Sequence, residues 1–131
     1  MLRSGRRNEG GAAVVDFVLV LVVLVPLFLG VLQVGLVLHV RNTLTAAASE
    51  GARYAATADR PLAAGVARTR AQIDAALAAR FARDVSAHPA TVAGAPGVEV
   101  RVTAVVPPLG LWGPGVRLVA TGHAVEEVVV P

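Results

Sequence analysis

Residues 12–38 read AAVVDFVLVLVVLVPLFLGVLQVGLVL, an apolar run in which Asp16 is the only charged residue. The 22 residues that follow it, 17–38, carry no charge. About 20 apolar residues are enough for a helix to cross a bilayer. A charge inside such a span costs about 3 kcal/mol on insertion scales, so an acidic residue there usually has a function. We therefore expect one membrane-spanning helix with a functional acidic residue near its start.

A basic leader precedes this run. Residues 1–11 read MLRSGRRNEGG and carry three arginines against Glu9. Because positive charge next to a span is retained on the cytoplasmic side, we expect the N-terminus inside and the rest of the chain outside. The apolar segment of a cleaved secretory signal has only about 7–15 residues. The longer run here indicates that ordinary signal-peptide removal does not occur.

The composition excludes several classes of protein. The chain of 131 residues has no cysteine, which rules out disulfides and cysteine metal sites. Its 12 basic residues, all arginine, are scattered among nine acidic ones, and no basic patch indicates nucleic-acid binding. The histidines, at 39, 88 and 123, lack the spacing of metal ligands. No nucleophile motif or phosphate loop is present, so we expect no enzyme, no metal and no cofactor.

Residues 12–58 read as one long helix, with Pro26 expected to kink it. A helix of this length reaches about 70 Å, more than twice the thickness of the hydrocarbon core. We therefore divide it into a membrane-spanning stem, residues 12–40, and a helical stalk, residues 41–58. The stalk carries small residues at helical spacing, suited to close helix packing, and Glu50 and Arg53 are spaced to pair. Its predicted packing residues are Glu50, Gly51, Arg53 and Tyr54.

The remaining residues, 59–131, are predicted to form a small extracytoplasmic α+β domain. Asp59 is a plausible N-cap for an amphipathic helix over residues 61–86, which His88 and Pro89 end. A loop is expected at 89–97, followed by a strand at 98–106. Its inward-facing residues are Val98, Val100 and Val102.

A turn-rich connection around Trp112 then leads to residues 116–130, predicted to form one strand or two strands broken at Gly122. The prediction is therefore an antiparallel sheet of two or three strands packed on the helices. Because an isolated hairpin is marginally stable, the helices are expected to cover its apolar face.

Two segments resemble a known family. RRNEGGAAVVDFVLVLVVLVPLFLGVLQVG, residues 6–35, is similar to the glycine–acid opening and apolar stem of TadE-like minor pilins, or pseudopilins. RNTLTAAASEGARYAAT, residues 41–57, is similar to a phrase that follows their stem. These proteins belong to the tight-adherence (Tad/Flp) branch of type IV pili. The chain departs from them at Asp16, where the family usually has glutamate.

The resemblance implies that a membrane prepilin peptidase cuts between Gly11 and Ala12, which makes Asp16 the fifth mature residue. A cut after Gly10 is the alternative and would make it the sixth. The Asp16 carboxylate would then compensate the new N-terminal ammonium when the subunit joins a filament. The implied partners are the peptidase, other pilin subunits through the N-terminal helix, the pilus assembly platform and membrane lipid. Adhesion, DNA uptake and secretion are the alternatives for the use of such a pilus.

Two other interpretations remain open from the residues. One is a single-pass membrane protein that is not cleaved after Gly11 and carries a small external interaction domain. The other is an accessory membrane subunit of a secretion machine, or an enzyme without a recognisable motif. The state of the N-terminus distinguishes the pilin from the uncleaved anchor.

Overall fold

The computed structural model describes residues 5–57, 60–109 and 113–128, with side chains from Asn8 onward. Two helices precede three strands along the chain, which confirms the α+β class. In order, they are α1 (Gly5–Ala56), α2 (Leu62–Ala76), a short 3₁₀ helix (Ala79–Ala82), β1 (Asp84–Val92), β2 (Ala95–Val106) and β3 (Val116–Val125).

Helix α1 has 52 residues and is therefore about 78 Å long. It begins at Gly5, so it includes residues of the leader that the prediction placed before the helix, and it ends two residues before the predicted Ala58. It is continuous through Pro26, which membrane helices tolerate. The expected kink at Pro26 stays a prediction.

The three strands form one antiparallel sheet in the order β1–β2–β3, with β2 in the centre. Val98, Val100 and Val102 of β2 are at most 1% exposed, as their alternation predicted. The side chains between them, Glu99, Arg101 and Thr103, are partly or fully exposed on the outer face. The sequence pattern of β2 therefore correctly identified both faces of the central strand.

Strand β1 corrects the prediction for residues 77–97. The helix expected to reach Ser86 ends at Ala76, and the expected loop at 89–97 is mostly strand. Phe81 and Val85 are buried, but Val85 reaches the core from a strand, where it pairs with Val102. Pro89 fits here because β1 is an edge strand, where a residue without an N–H is tolerated.

The expected loop shrinks to the two residues between β1 and β2. Ala93 and Gly94 have φ values of 51° and 81°, and Val92 pairs directly with Ala95 on either side of them. Positive φ at both central residues is typical of a type I′ hairpin turn. Because this turn prefers Asn-Gly, the Ala-Gly pair gave no hairpin signal in the sequence.

Strand β3 is unbroken at Gly122, so the single strand is the correct alternative, although it ends at Val125 and is shorter than the predicted 116–130. Gly122 lies against the backbone of Ala48 and Ser49 in α1, and a side chain at this position would collide with it. The glycine therefore marks a close approach of helix and sheet. Asp59 and Trp112, which the sequence singled out, lie outside the described residues.

The core lies between the inner face of the sheet and the C-terminal part of α1. Helix α1 packs on β2, β3 and α2, and α2 also contacts β1. The stalk contributes a row of small, almost fully buried side chains, which lets the helices and sheet approach closely. The buried stalk residues include Leu44, Ala47, Ala48, Ala52, Ala55 and Ala56.

Candidate processing site and assembly stem

Gly10, Gly11 and Ala12 lie on the part of α1 that is remote from the domain. All three are exposed, and a Cβ added at Gly10 or Gly11 would meet no neighbouring group. Glycine in a helix interior costs about 1 kcal/mol relative to alanine. Two adjacent glycines thus form a point where α1 can unwind at low cost.

Asp16 lies four residues after Ala12, which is about 6 Å along the helix axis and on the same face. Its side chain is exposed. A cut between Gly11 and Ala12 would therefore place a new ammonium group and this carboxylate on the same side of the helix, about one turn apart. The structure thus brings Ala12 and Asp16 to one exposed surface of the stem.

The stem beyond Asp16 projects from the domain with its apolar side chains exposed. Among the described residues, α1 is the one helix long and apolar enough to cross a membrane, and no residue in its most apolar window is buried. Phe17 and Phe28 are 64% and 61% exposed. So large an apolar surface requires lipid or other subunits around it.

Gln33 is the polar residue in this apolar stretch that sequence reasoning overlooked. Its Oε1 accepts a hydrogen bond from the Leu109 N–H at 2.8 Å. Its Nε2 donates to the Pro107 carbonyl at 3.3 Å. A polar side chain in a membrane-spanning helix is itself a signal, because it needs a partner there. Here the side chain joins the stem to the segment that follows β2.

Of the predicted stalk residues, Gly51 is buried where α1 crosses α2. A Cβ at Gly51 would collide with the Thr69 hydroxyl, which itself donates to the Gly65 carbonyl at 2.8 Å. On the other side of the crossing, a Cβ at Gly65 would lie 2.7 Å from the Cβ of Ala55. Glycine on both helices is therefore what permits this close contact within the chain.

The other three stalk residues lie nearer the surface. Glu50 pairs with Arg68 of α2 at 3.5 Å, whereas the sequence spacing suggested Arg53, which is exposed. The Tyr54 ring lies under the guanidinium of Arg60, 3.8 Å from its centroid. These contacts hold α1 against α2 and the segment that joins them.

The outer face of the sheet carries a small ionic cluster. Glu99 accepts hydrogen bonds from His123 Nε2 at 2.8 Å and from Arg101 at 2.9 Å. The hydrogen bond from His123 and the charge of Arg101 lower the pKa of Glu99 below its ordinary value of 4.5. In the described residues, no group of three or more His, Cys, Asp or Glu could hold a metal ion. The cluster is therefore a surface ion pair of the sheet.

Comparison with known protein families gives a match over the stem and most of the stalk. Residues 11–53 match the family model described as TadE-like protein. This segment begins at Gly11 and includes Asp16, Gln33 and Gly51, and the match confirms the resemblance seen in the sequence. The family is associated with Tad pili and is not a class of enzyme. No curated protein and no solved structure matches the chain.

Proposed function

Starting from the match of residues 11–53 to TadE-like proteins, we propose that the chain is a minor pilin, or pseudopilin, of a Tad/Flp pilus. A prepilin peptidase removes residues 1–11 on the cytoplasmic face. Residues 12–40 then anchor the subunit in the cytoplasmic membrane, with the domain outside. The subunit later enters the pilus through contacts of its stem with other pilin subunits and the assembly platform.

The observation that carries this proposal is the arrangement of Gly11, Ala12 and Asp16 on the exposed end of an apolar stem. A plain anchor gains nothing from a carboxylate at this position, since a charge near a span is costly. Cleavage supplies a partner, because the amine of Ala12 forms about 6 Å away along the helix. In a dry bundle of stems the two charges compensate one another, whereas either alone is costly.

The N-terminal peptide of the protein tests the processing step. We expect mass spectrometry of membrane and sheared surface fractions to find a peptide that begins at Ala12, with a methylated amine as the resemblance suggests. Gly11→Val should block the cut, and Gly10→Val is its matched control because both positions have open space around them. The intact leader on essentially all of the protein would exclude the pilin and leave the uncleaved anchor.

Asp16 variants test the assembly step. Asp16→Ala should accumulate in membranes as processed protein but fail to enter pili, because the new ammonium then lacks its partner. Asp16→Glu keeps the charge and should be incorporated. Asp74→Ala removes an exposed carboxylate from α2 and serves as the control. Normal incorporation of Asp16→Ala would show that this carboxylate has no role in assembly.

A further inference from the structure

The segment directly after β2 lies at the end of the domain nearest the stem. Hydrogen bonds to Gln33 hold it at a fixed position along the axis of α1. Gln33 bonds the backbone of Pro107 and Leu109, 74 and 76 residues away in the chain. Leu109 is nevertheless 45% exposed. The segment directly after β2 therefore presents an apolar side chain beside the stem rather than burying it in the core.

Two contacts fix the position of the sheet along α1. Gly122 lies against Ser49 and pairs with Val100. From Gln33 to Ser49 the helix rises about 24 Å, and from Val100 to Pro107 the strand spans about 23 Å. The two lengths agree and Gln33 bonds Pro107, so β2 extends nearly along the axis of α1 between these contacts. Distance along this strand therefore measures height along the stem.

That level is the edge of the hydrocarbon core when the stem spans a bilayer. A core about 30 Å thick takes about 20 helical residues. If the span begins at residue 17, its roughly 20 residues end at Leu36. The edge of the hydrocarbon core is then about 5 Å from Gln33, on the side toward the domain. Leu109 would then lie just inside the edge of the hydrocarbon.

A group of arginines lies higher along the axis of α1 than Pro107, on the side away from the membrane-spanning stem. Arg117 pairs with Val105, two residues before Pro107 and so about 7 Å higher. Both line a shallow cavity of about 350 Å³ together with Arg80 and Arg83, and Asp84 is the one carboxylate in its wall. Beyond the hydrocarbon, each headgroup layer is roughly 5–7 Å deep. Arg117 is thus at the height of lipid phosphates, and Arg80 and Arg83 line the same cavity.

We propose that this end of the domain is a lipid-docking surface. Leu109 inserts at the edge of the hydrocarbon, and Arg80, Arg83 and Arg117 bind the phosphates of anionic lipid headgroups. Apolar and cationic groups occur here in the order in which a bilayer presents acyl chains and phosphates. The inference rests on the proposed function, because it requires the stem to span the membrane.

Insertion depth tests the apolar part of this surface. The chain has no cysteine, so Leu109→Cys, Val25→Cys and Thr91→Cys each give the full-length protein one site for a fluorescent label. Val25 lies in the stem, and exposed Thr91 lies at the opposite end of the sheet. In vesicles of phosphatidylcholine with phosphatidylglycerol, we expect headgroup spin labels to quench the label at 109 and mid-chain spin labels to quench the label at 25. The label at 91 should escape both.

The possible outcomes separate this inference from the proposed function. A label at 109 that behaves like the label at 91, while the label at 25 is quenched, overturns lipid docking and leaves the span intact. An unquenched label at 25 overturns the span and the docking together. Fluorescence at 109 that follows protein concentration rather than lipid would assign this surface to a second copy of the chain.

Lipid selectivity tests the arginines. With a label at Val105→Cys, we expect a headgroup spin label on phosphatidylglycerol to quench more strongly than the same group on phosphatidylcholine. Each basic residue near an anionic surface contributes about fivefold to binding, so Arg117→Gln should lower this preference about fivefold. Arg53→Gln, an exposed residue of the stalk, is the control and should leave it unchanged. Equal quenching by both lipids in the unsubstituted protein would overturn the role of the arginines.

Discussion

Single carboxylates of this chain differ in what surrounds them. Glu99 is held by His123 and Arg101 on the outer face of the sheet, and its charge already has partners in the folded protein. Asp16 lies exposed on the stem, and the partner that we propose for it exists only after cleavage. In the function that we propose, the same chemical group therefore serves the stability of the sheet at one site and assembly at the other.

We expect Glu99 to make the free energy of unfolding of the domain decrease at acidic pH. Its pKa is lowered in the folded state, so its contribution is fully present above its ordinary pKa of 4.5. The contribution is lost as the pH falls through the folded-state pKa. In Glu99→Gln the unfolding free energy, measured by urea titration at several pH values, should fall less steeply below pH 4.5.

A matched substitution serves as control for Glu99. Glu126→Gln alters an exposed carboxylate beyond β3 and should leave the slope of the unsubstituted protein unchanged. Parallel curves for Glu99→Gln and the unsubstituted protein would contradict the assignment of this acid dependence to Glu99. The effect should be small because the pair lies at the surface, where solvent screens it.

Among the secondary-structure elements, α1 and α2 pack with no space for a further methyl group at their crossing. Gly51 and Gly65 face each other there, with Thr69 buried beside them. The Thr69 hydroxyl bonds within its own helix, so its polar group is satisfied without widening the contact. Small residues in the stalk thus serve packing within the chain.

Gly51→Ala should destabilise the domain by about 1–3 kcal/mol, the usual cost of overpacking a tight contact. Its added methyl group would collide with Thr69 and with the Gly65 backbone. Gly35→Ala is the matched control on the same helix, where the Cβ meets no neighbouring group. Denaturant unfolding followed by circular dichroism measures both, and equal stability of the two variants would contradict this account of the crossing.

At the scale of the whole molecule, α1 joins two parts with opposite surfaces. Its first part exposes apolar side chains to whatever surrounds the stem, and its last part supplies the core of the domain. Gln33 lies at the junction and joins the stem to the segment after β2. This link fixes the end of the domain at a set position along the stem.

Gln33→Leu should release that segment without unfolding the domain. Loss of a hydrogen bond worth about 1 kcal/mol predicts an increase of about fivefold in hydrogen exchange at the Leu109 amide. Gln72→Leu makes the same change on α2 and should have no effect at Leu109. Unchanged exchange at Leu109 in Gln33→Leu would show that Gln33 does not hold the segment.

The features that could be predicted from the sequence depend on local order. The apolar run, the position of Asp16 after the glycine pair, and the alternation of Val98, Val100 and Val102 each follow from spacing along one segment. Strand β1 was missed because Phe81 and Val85 lie four residues apart, a spacing that places two residues on one face of a helix as well as on one face of a strand. The turn at Ala93 lacks the asparagine that would have marked a hairpin.

By itself, the sequence determined that the chain has one membrane-length helix, an acidic residue at its start and an α+β domain beyond it. Segment length, hydropathy and the period of apolar residues are properties of neighbouring residues, so they can be determined without a structure. Only the tertiary structure decided that Glu50 pairs with Arg68, that Gly51 faces Gly65 and that Gln33 holds Leu109. These contacts join residues from different elements of the fold. A local sequence pattern does not specify them, because the packing of the elements determines which residues meet.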